Sequence, residues 1–190
     1  MIRTPFTFGR WRAVEAAAAD IAAVQAFFEV NPDYTLLCDG RAPLPSEGSE
    51  YVDSLPPPDF TFRDHYTLLL LDPDDVIDGL ASVAVDLPAP GAWHLGLFIA
   101  ATRLHGSGFA QRAYDAYEQW ARAGGARWLR LGVVTQNLRA HAFWRRQGYI
   151  EVKRRDGVPM GELVNTVIVM VKPIAGALDD YLDCAPRDRR

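Results

Sequence analysis

The hydrophobic residues in the middle of the chain follow a strand, helix, strand pattern. An apolar run at residues 95–100 is too short for a helix and too apolar for a half-exposed strand, so it predicts a strand buried on both faces. Over residues 109–121 the apolar positions recur every three or four residues, which predicts an amphipathic helix that ends at Gly124. A second apolar run follows at residues 128–134. These elements predict a right-handed crossover that joins two parallel strands.

The segments before this unit predict one strand, one long helix and an irregular region. β-forming residues predict a first strand at residues 6–14, and the alanine-rich stretch 15–28 predicts a helix that the following Asn-Pro pair stops. Prolines and acidic residues then fill residues 31–64. Within this region we expect a short helix at residues 46–55, because Ser46 is a suitable N-cap.

Four further strands and a tail complete the expected order. The strands are predicted from β-forming runs bounded by turn residues, at residues 66–71, 77–87, 150–155 and 163–172. We expect residues 1–173 to form a single domain and residues 174–190 to be a tail with one helical turn and a loose, charged end.

Composition narrows the class of protein. A chain of 190 residues with 49% hydrophobic and 23% charged residues is typical of a soluble globular domain. A formal net charge of −4 gives no general electrostatic reason to bind nucleic acid or an anionic membrane. No stretch reaches the roughly twenty apolar residues of a membrane span, and the first residues lack the apolar core of a secretory signal. These features predict a cytoplasmic location.

The two cysteines give no sign of a disulfide framework or a metal site. Cys38 and Cys184 are far apart in the sequence and have neither CxxC nor Cys/His spacing. We therefore predict no metal.

The loop between the central strand and its helix has the composition of an anion-binding turn. Gly106 and Gly108 allow a close backbone approach and backbone conformations that a side chain would disfavour. The free N–H groups of the first helical turn at Phe109 and Ala110 would point towards a ligand. Such a turn holds a phosphate.

This loop alone leaves other interpretations open. Many strand-to-helix turns need glycine for steric reasons only. A dinucleotide-binding fingerprint is disfavoured, because the sequence has Gln111 where that fingerprint has its third glycine. The next strand also ends at residues 135–137 without a carboxylate for a ribose hydroxyl.

Two motifs together resemble the Gcn5-related N-acetyltransferase (GNAT) family. Residues 105–110, HGSGFA, are similar to the family's Gln/Arg-x-x-Gly-x-Gly/Ala loop. Residues 137–149, NLRAHAFWRRQGY, are similar to its Asn-x-x-Ala-x-x-x-Tyr-x-x-x-Gly-Phe segment. The chain departs from the pattern at His105, where Gln or Arg is usual, and at Trp144, where many members carry the tyrosine assigned as proton donor. An indole does not titrate as an acid in water, so Trp144 is expected to pack against or orient the thioester.

The resemblance implies a fold and a co-substrate. The fold would be α/β (α+β), with a mixed, mostly antiparallel seven-stranded sheet, splayed parallel fourth and fifth strands, and helices on both faces. Acetyl-CoA would lie in the gap, with Asn137 reaching towards it. Its pantetheine arm would pair with the backbone of Leu97, Phe98 and Ile99. Its pyrophosphate would rest on the N–H groups of Gly106, Ser107, Gly108, Phe109 and Ala110.

The reaction implied is direct acetyl transfer to a primary amine of a small molecule or peptide in a ternary complex. A general base is useful, and the family often places a glutamate on the fourth strand, but no carboxylate lies between Gly91 and Thr102. His94 is then the candidate base, as the only titratable residue early in that strand. His65 and Asp86 are weaker candidates. Aromatic residues that would shape the acceptor pocket, if they are not core, are Tyr34, Tyr51 and Trp93.

The acceptor and the assembly state are open at this point. In the family, the segment corresponding to residues 31–64 usually lines the acceptor cleft; the alternative is a solvated, proline-braced excursion with no ligand role. Acidic residues outnumber basic ones across residues 31–90 while arginines dominate later, which would suit a cationic acceptor and a phosphate-rich co-substrate. A catalytically impaired acyl-CoA-binding or regulatory module is the alternative. A homodimer is an expectation from family habit only.

Overall fold

The computed structural model describes residues 5–189. It contains one mixed sheet, whose strands are β1 Phe6–Phe8, β2 Trp11–Glu15, β3 Asp64–Leu71, β4 Ile77–Val85, β5 Ala92–Ala100, β6 Trp128–Val134, β7 Ile150–Met160 and β8 Leu163–Pro173. Their order in the sheet is β1-β2-β3-β4-β5-β6-β8-β7. The α-helices are α1 Ile21–Val30, α2 Asp33–Cys38, α3 Glu47–Val52, α4 Phe109–Ala123, α5 Leu138–Arg146 and α6 Leu178–Cys184. This confirms the predicted fold class.

The first predicted strand is a hairpin of two strands, so the sheet formed by residues 5–189 has eight strands rather than seven. The chain turns at Gly9, whose φ of +55° lies in the left-handed region that glycine adopts readily. The periodicity of residues 6–14 does not reveal this turn, because both halves of the hairpin contain β-forming residues. The long helix also begins later than predicted: Glu15 still pairs with Leu68 in the sheet, and α1 starts at Ile21.

Strands β5 and β6 run parallel as predicted, but they stay together only briefly. Their pairing runs from Ala92 opposite Trp128 to Leu95 opposite Leu131. Beyond Leu95 the two strands separate, and an irregularity in the β4–β5 register falls in the same place, at Gly96. On the side facing β6, the backbone of β5 after Leu95 therefore has no strand partner within residues 5–189.

The helices cover the two faces of the sheet. Helices α4 and α5 pack on one face against a core that includes Leu95 and Leu131. The opposite face is covered by α1 and α3, which pack against Leu69 and Ile99, and by α6, which packs against Trp128. None of the helices in the described part of the chain combines the length and apolarity needed to cross a bilayer.

The segment predicted to be a loose tail is packed against the sheet. Tyr181 of α6 is fully buried and lies beside Trp128, with ring centroids 5.8 Å apart. Asp188 is also fully buried and forms ion pairs with Arg130 of β6 and Arg155 of β7. The expectation of a loose end was therefore wrong up to residue 189, and the helical turn predicted there extends over α6.

Candidate active site

Two cavities open where β5 and β6 separate, and they meet in the gap between the strands. One, of about 590 Å³, reaches towards β7, β8 and the segment before β3; we call it the acceptor cavity. The other, of about 800 Å³, reaches the start of α4; we call it the loop cavity. The residues that line both are Tyr34, Phe98, Asn137, Ala140 and Trp144.

The loop before α4 leaves several backbone donors unpaired. Gly106 and Gly108 both have left-handed φ angles, +80° and +79°, which explains the need for glycine there. Among residues 5–189, the N–H groups of Gly106, Gly108, Ala110 and Gln111 make no hydrogen bond to the protein. The dipole of the 15-residue helix α4 adds positive potential at this end. This geometry suits a phosphate.

Arginines add positive charge to the same cavity. Arg139 and Arg146 line it, together with His105. Arg139 donates through Nη1 to Nδ1 of His105 at 2.8 Å, and Nε2 of His105 lies 3.2 Å from the carbonyl oxygen of Ala100. Because an arginine only donates, His105 carries its proton on Nε2. In the place where the family has Gln or Arg, His105 thus connects the end of β5 to an arginine of α5.

Asn137 and Trp144 occupy the junction in different ways. The Oδ1 atom of Asn137 accepts from the N–H of Ala140 at 3.0 Å and caps α5, so its amide nitrogen is left for other partners. Trp144 is only 6% exposed, and its ring centroid lies 5.7 Å from that of Phe98. Trp144 is therefore a wall of both cavities, as expected for a residue that packs rather than titrates.

His94 lines the acceptor cavity and accepts a hydrogen bond from an arginine that also lines it. Nη1 of Arg130 donates to Nδ1 of His94 at 3.1 Å. Burial and the neighbouring positive charge of Arg130 lower the pKa of His94 to about 3. Since Nδ1 accepts this bond, the proton of the neutral ring is on Nε2. These contacts do not fit the predicted role of general base, because the free lone pair of the ring is already used and the protonated ring is disfavoured.

His65 has a more suitable environment for a base. It lines the acceptor cavity, and its Nε2 atom lies 3.0 Å from Oγ of Ser82. Burial lowers the pKa of His65 below its usual value, so the ring is neutral at pH 7. Asp86, the other candidate, does not line either cavity: it accepts from the N–H of Gly91 at 2.7 Å and holds the turn before β5.

The predicted aromatic residues separate into pocket and core. Tyr34 of α2 lines both cavities, and burial raises its pKa, so it is a protonated phenol. Tyr51 lines the acceptor cavity, but its hydroxyl donates to the carbonyl oxygen of Leu68 at 2.7 Å and is buried. Trp93 is a core residue, with its ring centroid 4.9 Å from that of Trp120.

The charge of the acceptor cavity differs from the expectation drawn from the acidic segment. No aspartate or glutamate lines this cavity within residues 5–189. Two acids of this segment have structural partners instead: Glu47 pairs with Arg41 at 3.1 Å, and the buried Asp78 accepts from the indole of Trp11 at 2.6 Å.

The sequence did not predict a pair of arginines that lines the acceptor cavity. Arg130 donates to Asp188 through Nε at 2.7 Å, and Arg155 donates to the same carboxylate through Nη2 at 2.6 Å. Both arginines line the cavity. We name Arg130, Arg155 and Asp188 the arginine cluster. No local signal pointed to it, because its members come from two strands and the supposed tail.

Comparison with known proteins gives the family. The sequence profile of the acetyltransferase (GNAT) family matches residues 27–149, which is more than half of the chain. No curated protein matches the sequence.

Solved structures support the fold. An acetyltransferase from Thermus thermophilus has a TM-score of 0.69 and 21% identity, covering 88% of this chain and 99% of its own. The Salmonella typhimurium acetyltransferase that modifies the N-terminal serine of ribosomal protein L7/L12 has a TM-score of 0.70 and 14% identity, covering 92% and 99%. The ribosomal-protein-S18-alanine N-acetyltransferase from Escherichia coli has a TM-score of 0.62 and 14% identity, covering 88% and 96%. These likenesses support the fold, and the profile match over residues 27–149 places the chain in the GNAT acetyltransferase family.

Proposed function

We propose that this protein is an N-acetyltransferase that uses acetyl-CoA and acetylates a primary amine of a small molecule or peptide in a ternary complex. The observation that carries the proposal is the meeting of two cavities at the gap after Leu95 and Leu131. A donor bound on the loop side and an amine bound on the acceptor side would reach the same stretch of β5 backbone. Proximity of this kind supplies much of the rate of an acyl transfer.

The loop cavity fits the co-substrate. The unpaired N–H groups of Gly106, Gly108 and Ala110 would hold the pyrophosphate, with Arg139 and Arg146 adding positive charge. Residues 97–99 pair with β4 on one side only, and their backbone on the side facing β6 would bind the amides of the pantetheine arm as an added strand would. Bound there, acetyl-CoA supplies an activated acetyl thioester.

The chain provides a route for the proton of the amine. An amine attacks only as its free base, so it must first lose a proton. His65 is neutral and hydrogen-bonded to Ser82 on the cavity wall, and we infer that it accepts this proton directly or through Ser82. The positive charge of the arginine cluster assists, because it lowers the pKa of an amine bound nearby.

Tyr34 is our candidate for the group that acts on the leaving thiolate. It lines both cavities, as does Trp144, which offers no acidic group. Burial raises the pKa of the neighbouring Cys38 thiol to about 11, so this thiol is not ionised at pH 7. We infer that Tyr34 donates its proton or a hydrogen bond to the sulfur as the thioester bond breaks.

The loop assignment can be tested with a pair of matched glycine variants. Gly106→Glu places a negative charge in the phosphate site, and we expect acetyl-CoA affinity to fall at least tenfold. Gly125→Glu is the control: Gly125 follows the other end of α4, its φ is +87° against +80°, and a Cβ atom at either glycine meets nothing within 4 Å. The same backbone strain therefore acts in both variants.

Calorimetric titration with acetyl-CoA and a thiol-release assay over a panel of amines provide the readout. Equal affinity in both folded variants would remove the loop from the binding site and refute the proposal. Binding without turnover of any amine would favour a catalytically impaired binding module.

A further inference from the structure

We infer that the amine acetylated by this protein also carries a carboxylate, and that Arg155 binds it. This inference rests on the proposed function and narrows its substrate class. The starting observation is the charge of the acceptor cavity, where two arginines and two histidines line the wall and, in the part of the chain described, no carboxylate does.

The arginine cluster keeps one uncompensated positive charge at the cavity. Asp188 is fully buried and is shared between two arginines, so it neutralises only one of them. Asp59, whose charge also interacts with Arg155, is itself paired with Arg187 at 2.9 Å. Arg130 is 5% exposed, and its Nε, Nη1 and Nη2 atoms all have partners in Asp188 or His94. Arg130 is therefore the structural member of the pair.

Arg155 is the member that remains available to a ligand. Its side chain is 29% exposed and lines the cavity, and it contacts Asp188 through Nη2 only. Within residues 5–189, its Nε and Nη1 atoms have no hydrogen-bond partner. A guanidinium held on one side by a buried carboxylate and open on the other presents donors in the planar arrangement that a second carboxylate accepts.

His94, which lines the same cavity, also suits an anion. His94 presents its Nε2–H group rather than a lone pair, because Arg130 occupies Nδ1. A Cβ atom built on Gly96, where the strands separate, would lie 3.8 Å from this Nε2 atom. Hydrogen-bond donors of His94 and Arg155 thus line the acceptor cavity between Gly96, where the strands separate, and β7. A polyamine or an aminoglycoside would bring only positive charge to this surface.

Two kinds of acceptor share this chemistry, and a paired-substrate assay separates them. The first is a free α-amino acid, tested as L-alanine against L-alaninamide. The second is a peptide amine followed by an acidic side chain, tested as alanyl-glutamate amide against alanyl-glutamine amide. Spermidine serves as the cationic comparison. In at least one pair, we expect the compound with the carboxylate to have a kcat/KM about ten- to a hundredfold higher than its amide counterpart. This is the range expected for a charge-assisted hydrogen bond.

Variants of neighbouring arginines identify the residue responsible. Arg155→Gln should abolish the preference, and Arg155→Lys should retain part of it. Arg130 and Tyr181 still hold Asp188 in Arg155→Gln, so the fold is expected to survive. Arg154→Gln is the matched control, because Arg154 is 61% exposed, pairs with Glu151 and lines neither cavity. It should leave the preference unchanged.

A binding measurement keeps the inference independent of turnover. The N-acetylated form of each compound is titrated calorimetrically into the CoA-loaded protein and into its Arg155→Gln variant. Tighter binding of the carboxylate form, lost in the variant, supports the inference. Equal or better use of the amides or spermidine, or a preference that survives Arg155→Gln, overturns it while leaving the acetyltransferase assignment intact. Failure of the assignment itself would appear separately, as absent acetyl-CoA binding.

Discussion

The arginine cluster allows a prediction that does not depend on knowing the acceptor. Asp188→Asn removes the one negative charge that is buried between Arg130 and Arg155, and Tyr181 also donates to this carboxylate. Breaking a buried ion pair from one side leaves an uncompensated charge, which is more costly than losing the pair as a whole. We therefore expect a clear loss of stability at neutral pH.

The pKa of Asp188 gives the size of this loss. Burial opposes ionisation, but the hydrogen bonds and charge of Arg130, with help from Tyr181 and Arg155, outweigh it and lower the pKa from 3.8 to about 2. Each tenfold change in proton affinity corresponds to about 1.4 kcal/mol, so the ionised form contributes about 2 kcal/mol. Because the folded pKa is the lower one, this contribution is complete above about pH 5 and is lost as the pH falls towards 2.

Urea unfolding followed by tryptophan fluorescence measures the effect. At pH 7 the Asp188→Asn variant should unfold with a free energy about 2–3 kcal/mol lower than the parent, and the difference should shrink on acidification. Asp183→Asn is the control, because that residue is 75% exposed and should change stability by less than about 0.5 kcal/mol. A pH-independent difference, or none, would refute the assignment of a buried charged cluster.

Two further predictions concern proton transfer. The rate of acetyl transfer should fall as the pH drops through a value below 6.5, because a protonated His65 cannot act as base. The His65→Gln substitution should flatten this pH profile and slow turnover about a hundredfold. The His94→Gln substitution should leave the pH profile unchanged. A profile that changes only in the His94 variant would reverse the two roles. The Tyr34→Phe substitution should lower kcat about a hundredfold with little change in the KM for acetyl-CoA, as measured by steady-state kinetics. An unchanged kcat would show that Tyr34 has no part in the mechanism.

Local patterns account for the parts of the fold that the sequence predicted well. The strand at residues 95–100, the helix after it and the strand at residues 128–134 each follow from spacing within a dozen residues. The glycines at positions 106 and 108 were recognisable because their backbone conformation excludes most side chains. The turn at Gly9 was missed because β-forming residues flank it on both sides.

The acceptor cavity was less predictable because its contacts are distant in sequence. Arg130 and Asp188 are 58 residues apart, and Arg155 reaches Asp188 from 33 residues away. His94 was found as a titratable residue of β5, but only the parallel pairing that sets it opposite Arg130 reveals that its lone pair is occupied. The register of a sheet therefore decides a chemical role that the identity of the residue leaves open.

The positive lining of the two cavities contrasts with the formal net charge of −4 carried by the whole chain. At 0.1 M salt, electrostatic forces are screened over about 10 Å. At lower salt the screening length is greater, so the net negative charge repels an approaching anion over a longer distance, and the anion meets the arginines only near the cavity mouth. Salt thus acts in two opposite directions, since it eases the approach of an anion and loosens its hold once bound. The charge of the outer surface would then set how fast an anion binds, and the charge of the cavity walls would set how slowly it dissociates.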